Sequence, residues 1–316
     1  MKWKVLVSNV HIQPHLDTYR DLFKHNNIEF DVVTPVQFVS EAELLEIIGP
    51  YHAIVCGDDE VTDKVLERAK NLKVISKWGV GIDSIDLESA KRHGVAVYNS
   101  PGAFSESCAL MVFSFLMHFS RGANKLDQAI RSGEWRHQSG FTLSGKTMGI
   151  IGIGNVGRAV AKCAKAFDLQ VLGNDIKEID LKVVSLLGIK MVEKNEIFRN
   201  SDFLVLATDL NPTSKHLLST KELSLMKPTS FVFNISRGSV IDESALISTL
   251  KENRIAGAGL DVFEVEPLPQ DSPLRAMENV ILTPHNAYNT IEAKNYVHDN
   301  TVKNLIDGLN KAVLDN

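Results

Sequence analysis

Short apolar, β-branched runs alternate with amphipathic segments from one end of the chain to the other. The first series of runs is KVLVSNV (4–10), FDVVT (30–34), AIVCG (53–57), KVISKWG (73–79) and VAVYN (95–99). Between them lie stretches of helical pattern such as TDKVLERAK (62–70) and IDLESAKRHG (85–94). A second series follows: TMGIIGIG (147–154), LQVLGND (169–175), IKMV (189–192), DFLVLAT (202–208), SFVFNIS (230–236), AGAGLDVF (256–263) and VILTP (280–284). Strand–helix alternation requires βαβ crossovers, hence parallel sheets covered by helices on both faces. Two separate series predict two such sheets and two α/β domains. Between the series, residues 99–135 carry turn residues at Ser100–Gly102 and then a long helical stretch, which places the domain crossing near Pro101. Residues 290–311 are helix-patterned and could pack on either domain.

Composition narrows the class of protein. A chain of 316 residues suits two domains, and 44% hydrophobic with 23% charged residues is an ordinary globular balance. The net charge of −5 comes from 39 acidic and 34 basic residues with no Lys/Arg block, which argues against a nucleic-acid partner. Cys56, Cys108 and Cys163 are far apart, odd in number and without a CxxC pair, so neither a disulfide framework nor a metal site is expected. A reduced, cytoplasmic protein fits this usage. The start of the chain, MKWKVLVSNV, reads as a first strand rather than a signal peptide. The longest apolar run, CALMVFSFLMHF (108–119), is too short to span a bilayer and reads as a buried or interface helix.

The strongest local motif is GIIGIGNVGRAVAKCAKAFDLQVLGND, in which a strand runs into Gly152-Ile-Gly154-Asn-Val-Gly157 and a helix follows. A second strand ends at Asp175, 18 positions beyond Gly157. A lone GxGxxG is weak evidence, but this one has the strand, helix and acidic residue that dinucleotide binding needs. Gly152 permits the tight turn, Gly154 lets the backbone approach a pyrophosphate, and Gly157 lets helix and strand pack closely. The helix N-terminus offers free N–H groups to the anion. Asp175 would accept from the adenine ribose hydroxyls and repel a 2′-phosphate, so the expected cofactor is NAD rather than NADP.

Three polar insertions then follow the ends of predicted strands: NISRGSVIDESAL (234–246), AGAGLDVFEVEPL (256–268) and TPHNA (283–287). Ligands of open α/β sheets bind beyond the carboxyl ends of the strands, so Arg237, Glu266 and His285 could share one crevice. Singly, each has a plainer reading: a turn cation, a loop carboxylate, and one imidazole among ten histidines. Together they do specific chemistry. A guanidinium can bind a carboxylate and polarise a neighbouring carbonyl. An imidazole can supply the proton that the developing alkoxide needs, and a carboxylate partner orients it and favours its protonated form.

In this order the motifs resemble the D-isomer-specific 2-hydroxyacid dehydrogenases. The resemblance covers nearly the whole chain: LKVISKWGVGIDSIDL (72–87), VYNSPGAFSE (97–106), the glycine fingerprint, LMKPTSFVFNISRGSVIDESAL, GAGLDVFEVEP and TPHNA. It implies a flavodoxin-like substrate-binding domain formed by residues 1–100 and 289–316, with a Rossmann NAD-binding domain, 101–288, inserted into it. It implies Arg237, Glu266 and His285 as the catalytic set, and backbone amides of Gly79 and Val80, next to Trp78, as ligands of the substrate carboxylate. Asn155, Val156, Thr208, Ile235 and Asp261 match positions that contact the dinucleotide, Asp261 near the nicotinamide carboxamide. A homodimer joined through the cofactor domains is the assembly the resemblance implies, and a small 2-hydroxy or 2-keto acid is the partner.

Departures from the family pattern bear on the substrate. Where phosphoglycerate dehydrogenases carry basic and hydroxyl residues, this chain has CGDDEVT (56–62), and Asp58, Asp59 and Glu60 are expected to repel a phosphate. Trp78 and Phe104 replace smaller or polar residues and could narrow the pocket or stack on a substrate, or simply pack. Trp78 is counted with Gly79 and Val80 as substrate-binding, and Leu110 replaces an acidic residue. The competing readings are a D-3-phosphoglycerate dehydrogenase proper, an NAD(H)-sensing protein like the corepressors of this fold, and a structural dimer with a vestigial site.

Overall fold

The computed structural model describes residues 2–314. The chain forms two compact units: one runs through Ala103 and resumes at Thr290, and the other is Phe104–Asn289.

The first unit is built on five parallel strands, β1 (Trp3–Val7), β2 (Ile28–Val32), β3 (Ala53–Cys56), β4 (Val74–Lys77) and β5 (Ala96–Tyr98). Their order is β2-β1-β3-β4-β5, the flavodoxin-like arrangement. All four residues of β3 and of β4 are buried, as befits central strands covered on both faces. The final helix, Ile291–Leu314, packs on this sheet. Ser76 Oγ donates to the Thr301 carbonyl at 2.8 Å, and a Cβ on Gly308 would lie 2.8 Å from the Tyr98 ring. Gly308 therefore lets helix and sheet approach closely. The helix that the sequence left free to join either unit belongs to this one.

The second unit carries seven parallel strands: β6 (Thr147–Ile151), β7 (Gln170–Asn174), β8 (Ile189–Met191), β9 (Phe203–Leu206), β10 (Phe231–Asn234), β11 (Gly257–Leu260) and β12 (Val280–Leu282). The order β12-β11-β10-β9-β6-β7-β8 is the doubly wound dinucleotide-binding arrangement with one added edge strand. The strand order reverses between β6 and β9, and this switch point is where such sheets bind ligands. The helical stretch expected over 99–135 is two helices, Ser105–Arg121 and Ala123–Arg131. Gly122, at φ +59°, ends the first in the left-handed conformation that glycine adopts without a Cβ penalty. Phe115 of the first helix packs on Gly259 of β11, where a Cβ would come within 2.6 Å of its ring. Small residues on β11 thus admit the bulk of that helix.

Among the described residues, no helix is long and apolar enough to cross a membrane.

Candidate active site

β6 ends at Ile151, and Gly152 turns the chain with φ +95°. A Cβ at Gly152 would lie 2.4 Å from the Ala207 carbonyl oxygen just beyond β9, so glycine is what lets the two strands meet at the switch point. A Cβ at Gly157, in the first turn of the helix Asn155–Ala166, would lie 1.9 Å from the Gly152 carbonyl oxygen. At Gly154 the reverse holds: a Cβ there meets nothing within 4 Å. No side chain caps the helix at Gly154, so the N–H groups of Asn155 and Val156 in its first turn stand open to an anion. Closed backbone contacts at two glycines and open space at the third fit a dinucleotide pyrophosphate.

Asp175, just past β7, accepts from the Ile153 N–H at 2.7 Å and from the Lys177 N–H at 2.8 Å. Its carboxylate is thereby fixed beside the fingerprint turn. Thr208 follows β9 against Gly152, and Ile235, buried, follows β10.

The turn after β10 is organised by Asn234. Its side-chain oxygen accepts from the Ser236 N–H at 3.1 Å, and its amide donates to the Arg237 carbonyl at 3.0 Å. Arg237 Nη1 donates to the Ser236 carbonyl at 3.0 Å. At Gly238 a Cβ would lie 1.9 Å from the Phe263 carbonyl carbon and oxygen, so the Arg237 turn rests directly on the loop after β11. That loop carries Glu266. Glu266 Oε1 accepts from the Phe263 N–H at 3.0 Å, and Oε2 lies 2.8 Å from His285 Nδ1. The structure thus pairs the imidazole with the carboxylate, and packs the turn bearing the guanidinium on the loop that carries this carboxylate.

His285 sits at φ +48°, a conformation that needs support from its surroundings. Asp261 supplies it. The Asp261 carbonyl accepts from the His285 N–H at 2.7 Å. Its carboxylate, 1% exposed, accepts from Thr283 Oγ at 2.5 Å and from the N–H groups of Asn286 and Ala287, both at 2.8 Å. Burial pushes the Asp261 carboxyl above the usual range, against these hydrogen bonds. The residue matched to a nicotinamide contact is, in this structure, the peg of the His285 loop.

Other groups gather here without a signal in the sequence. The Tyr288 ring centroid is 6.4 Å from that of His285 and 5.2 Å from that of Phe104. Its position three residues past His285 is the one available cue. Cys108 is buried, which pushes its thiol up to about 12, in the fields of Asp261 and Arg237. His216 Nε2 lies 2.8 Å from Glu264 Oε1, so one loop carries two histidine–carboxylate pairs.

In the first unit, Trp78, Gly79 and Val80 follow β4. Gly79 has φ +118°, and neither its N–H nor that of Val80 has an acceptor among the described residues. The acidic run after β3 is arranged differently from the expected phosphate-repelling cluster. Asp59 is buried and accepts from Ser8 Oγ at 2.5 Å, the Val39 N–H at 2.6 Å and the Gly57 N–H at 3.1 Å. Glu60 accepts from the Glu41 N–H at 2.8 Å, and Asp58 pairs with the buried Lys77 ammonium at 2.9 Å. Two of the three acids hold the fold, and the third has a counter-charge.

Comparison with known proteins agrees with this geometry. The family model for the D-isomer specific 2-hydroxyacid dehydrogenase NAD-binding domain matches residues 113–287. A D-3-phosphoglycerate dehydrogenase of Methanocaldococcus jannaschii is 39% identical over 260 residues, covering 81% of this chain but 49% of its own length. The chain thus spans about half of that relative. A glyoxylate reductase of Thermococcus litoralis is 38% identical over 273 residues, 83% of this chain and 82% of its own. The structure of D-lactate dehydrogenase from Aquifex aeolicus with NAD and lactic acid superposes with a TM-score of 0.86 at 25% identity, covering 99% of this chain and 96% of that one.

Proposed function

Since the chain belongs to the D-isomer-specific 2-hydroxyacid dehydrogenase family, we propose that it interconverts a small, unphosphorylated D-2-hydroxy acid and its 2-keto acid with NAD(H). The observation that carries this reading is the 2.8 Å contact between His285 Nδ1 and Glu266 Oε2 on the loops after β11 and β12, with Arg237 after β10. With Nδ1 turned to the carboxylate, Nε2 is the ring atom that holds the transferable proton. In reduction, Nε2 gives that proton to the carbonyl oxygen as it gains negative charge, and Glu266 stabilises the imidazolium beforehand. In oxidation, neutral Nε2 takes the hydroxyl proton. The Arg237 guanidinium binds the carboxylate and polarises the carbonyl. The amides of Gly79 and Val80 are further carboxylate donors in this reading. The dinucleotide, held by the amides after Gly154 and by Asp175, supplies or takes the hydride when bound. A cytoplasmic homodimer is the setting we assign.

The test is NADH oxidation by the purified protein with glyoxylate, hydroxypyruvate, pyruvate and bulkier 2-keto acids. Turnover of one or more small keto acids is expected, with weak or no oxidation of 3-phosphoglycerate. For the latter, residues 56–62 carry three carboxylates and no cation of their own, and the neighbouring Lys77 is paired with Asp58. Efficient 3-phosphoglycerate oxidation would replace the substrate class. Tight NADH binding without any turnover would favour the sensor reading.

Cofactor choice has its own test. Asp175→Asn removes the charge while leaving an oxygen for the Ile153 N–H. The ratio of NADPH to NADH dissociation constants is expected to fall about tenfold, one close charge–charge repulsion removed. An unchanged ratio would take Asp175 out of the discrimination.

A further inference from the structure

The first unit holds a buried aromatic and imidazole cluster that the proposed mechanism does not use. The Trp78 indole N–H donates to His298 Nδ1 at 3.0 Å, with Trp78 5% and His298 3% exposed. The His11 ring lies against the indole at 4.7 Å between centroids, and the His15 ring lies against His298 at 4.5 Å. A buried indole N–H needs an acceptor, and Nδ1 can accept only while it carries no proton. The charged and titratable groups around His298 decide which form it takes: His15 and His11 from the segment after β1, and Lys294 and Asp299 from its own helix. Burial, reinforced by His15, Lys294 and His11 and opposed by Asp299, holds the imidazole down at about 4. At neutral pH Nδ1 is therefore a bare acceptor and Nε2 carries the hydrogen.

Trp78 is also the residue from which the Gly79–Val80 turn hangs. Its N–H donates to the Cys56 carbonyl at 2.9 Å, and its own carbonyl accepts from Lys77 Nζ at 3.3 Å. Beyond it, the Gly79 carbonyl accepts from the Ser100 N–H at 2.8 Å and the Val80 carbonyl from Asn99 Nδ2 at 2.6 Å. Both carbonyls of the turn are thus held, while its two successive N–H groups stay open. Backbone N–H groups left open in succession are the usual protein receptor for an anion. The indole side chain stands at the start of this turn, and its N–H is taken up by His298, 220 positions along the chain.

We propose that His298 is a positioning residue, which through Trp78 sets the Gly79–Val80 amide pair for the substrate carboxylate. The inference rests on the dehydrogenase reading for its substrate. It requires that loss of the indole acceptor weaken carboxylate binding while leaving the hydride and proton steps alone, because the carboxylate is held equally in ground and transition states.

The test uses the NADH-loaded protein and oxamate, a carboxylate that is not turned over, with calorimetry as the readout. His298→Leu is expected to weaken oxamate about tenfold, the effect of leaving one buried donor unpaired. NADH affinity should stay within about twofold, because no group that meets the dinucleotide has changed. His298→Asn returns an oxygen acceptor near the place of Nδ1 and should restore most of the affinity. With a keto acid, His298→Leu should raise KM by a similar factor at nearly constant kcat. In the parent protein, the indole N–H resonance of Trp78, assigned by its absence in Trp78→Phe, should move as the pH is lowered toward 4, with oxamate affinity falling in step. That arm decides the matter even if His298→Leu does not fold. Parent-like oxamate binding by His298→Leu, no rescue by asparagine, an indole signal that ignores pH, or a parent that binds no oxamate each overturns the proposal. A parent that binds oxamate under control of His298 but reduces no keto acid would sink the dehydrogenase reading alone.

Discussion

Replacing His285 by alanine is expected to lower kcat for keto-acid reduction by roughly 10²- to 10⁴-fold, the usual contribution of a positioned acid–base group, with NADH affinity nearly unchanged. The imidazole is the proposed proton donor, and Glu266, 2.8 Å from Nδ1, holds its orientation. No other imidazole within the Phe104–Asn289 unit is paired with Glu266. Glu266→Gln should cost less, because the ring keeps a neutral hydrogen-bond partner, and should move the acid–base limb of kcat/KM toward lower pH. The alanine variant also removes a histidine from φ +48°, where a side chain is strained in either protein. A thermal melt beside NADH fluorescence titration separates any loss of fold from loss of chemistry. Turnover within a few-fold of the parent would remove His285 from the mechanism.

The second large effect concerns two glycines to which the motif gives different roles, and the structure gives them different surroundings. Gly157→Ala places a Cβ 1.9 Å from the Gly152 carbonyl oxygen, and backbone at that distance cannot swing aside. The helix Asn155–Ala166 would have to lift from β6, where Val160, Ala161 and Ala164 are buried. A loss of about 1–3 kcal/mol of stability, or more, follows for overpacking of this kind, with NADH binding reduced as the helix N-terminus moves. Gly154→Ala meets nothing within 4 Å, so the melting temperature should stay near that of the parent. NADH should nevertheless bind at least about tenfold more weakly, because the methyl occupies the space in which a pyrophosphate meets the amides. Equal melting temperatures for the two variants would refute the close packing at Gly157, and full NADH affinity in Gly154→Ala would show that the anion does not lie there.

What the amino-acid sequence determined by itself was everything that repeats locally. Each of the twelve apolar runs overlaps a strand, because β-branched and small apolar residues between turn signals bury themselves well in a parallel sheet. The glycine fingerprint was legible for the same reason: its spacing is a backbone requirement met within one βαβ unit. Arg237, Glu266 and His285 could be placed at strand ends, which is where parallel sheets present their ligands.

Tertiary structure decided what depends on a partner far along the chain. Gly122 breaks the helix expected over residues 99–135, and only its positive φ reveals that break. The helical pattern of 290–311 carries no address, and contacts such as Ser76 with Thr301 assign it to the first unit. Asp59 reads as one of three phosphate-repelling acids, yet it is buried on Ser8 and Val39. Asp261, matched to a cofactor contact, also holds the loop of His285, which no local pattern announces. Trp78 and His298 are the extreme case, joined by one hydrogen bond across 220 positions. Periodicity records which face of an element is apolar, but it holds no record of which element that face will meet. That choice, and with it the buried polar pairings, exists only once the sheets have closed over them.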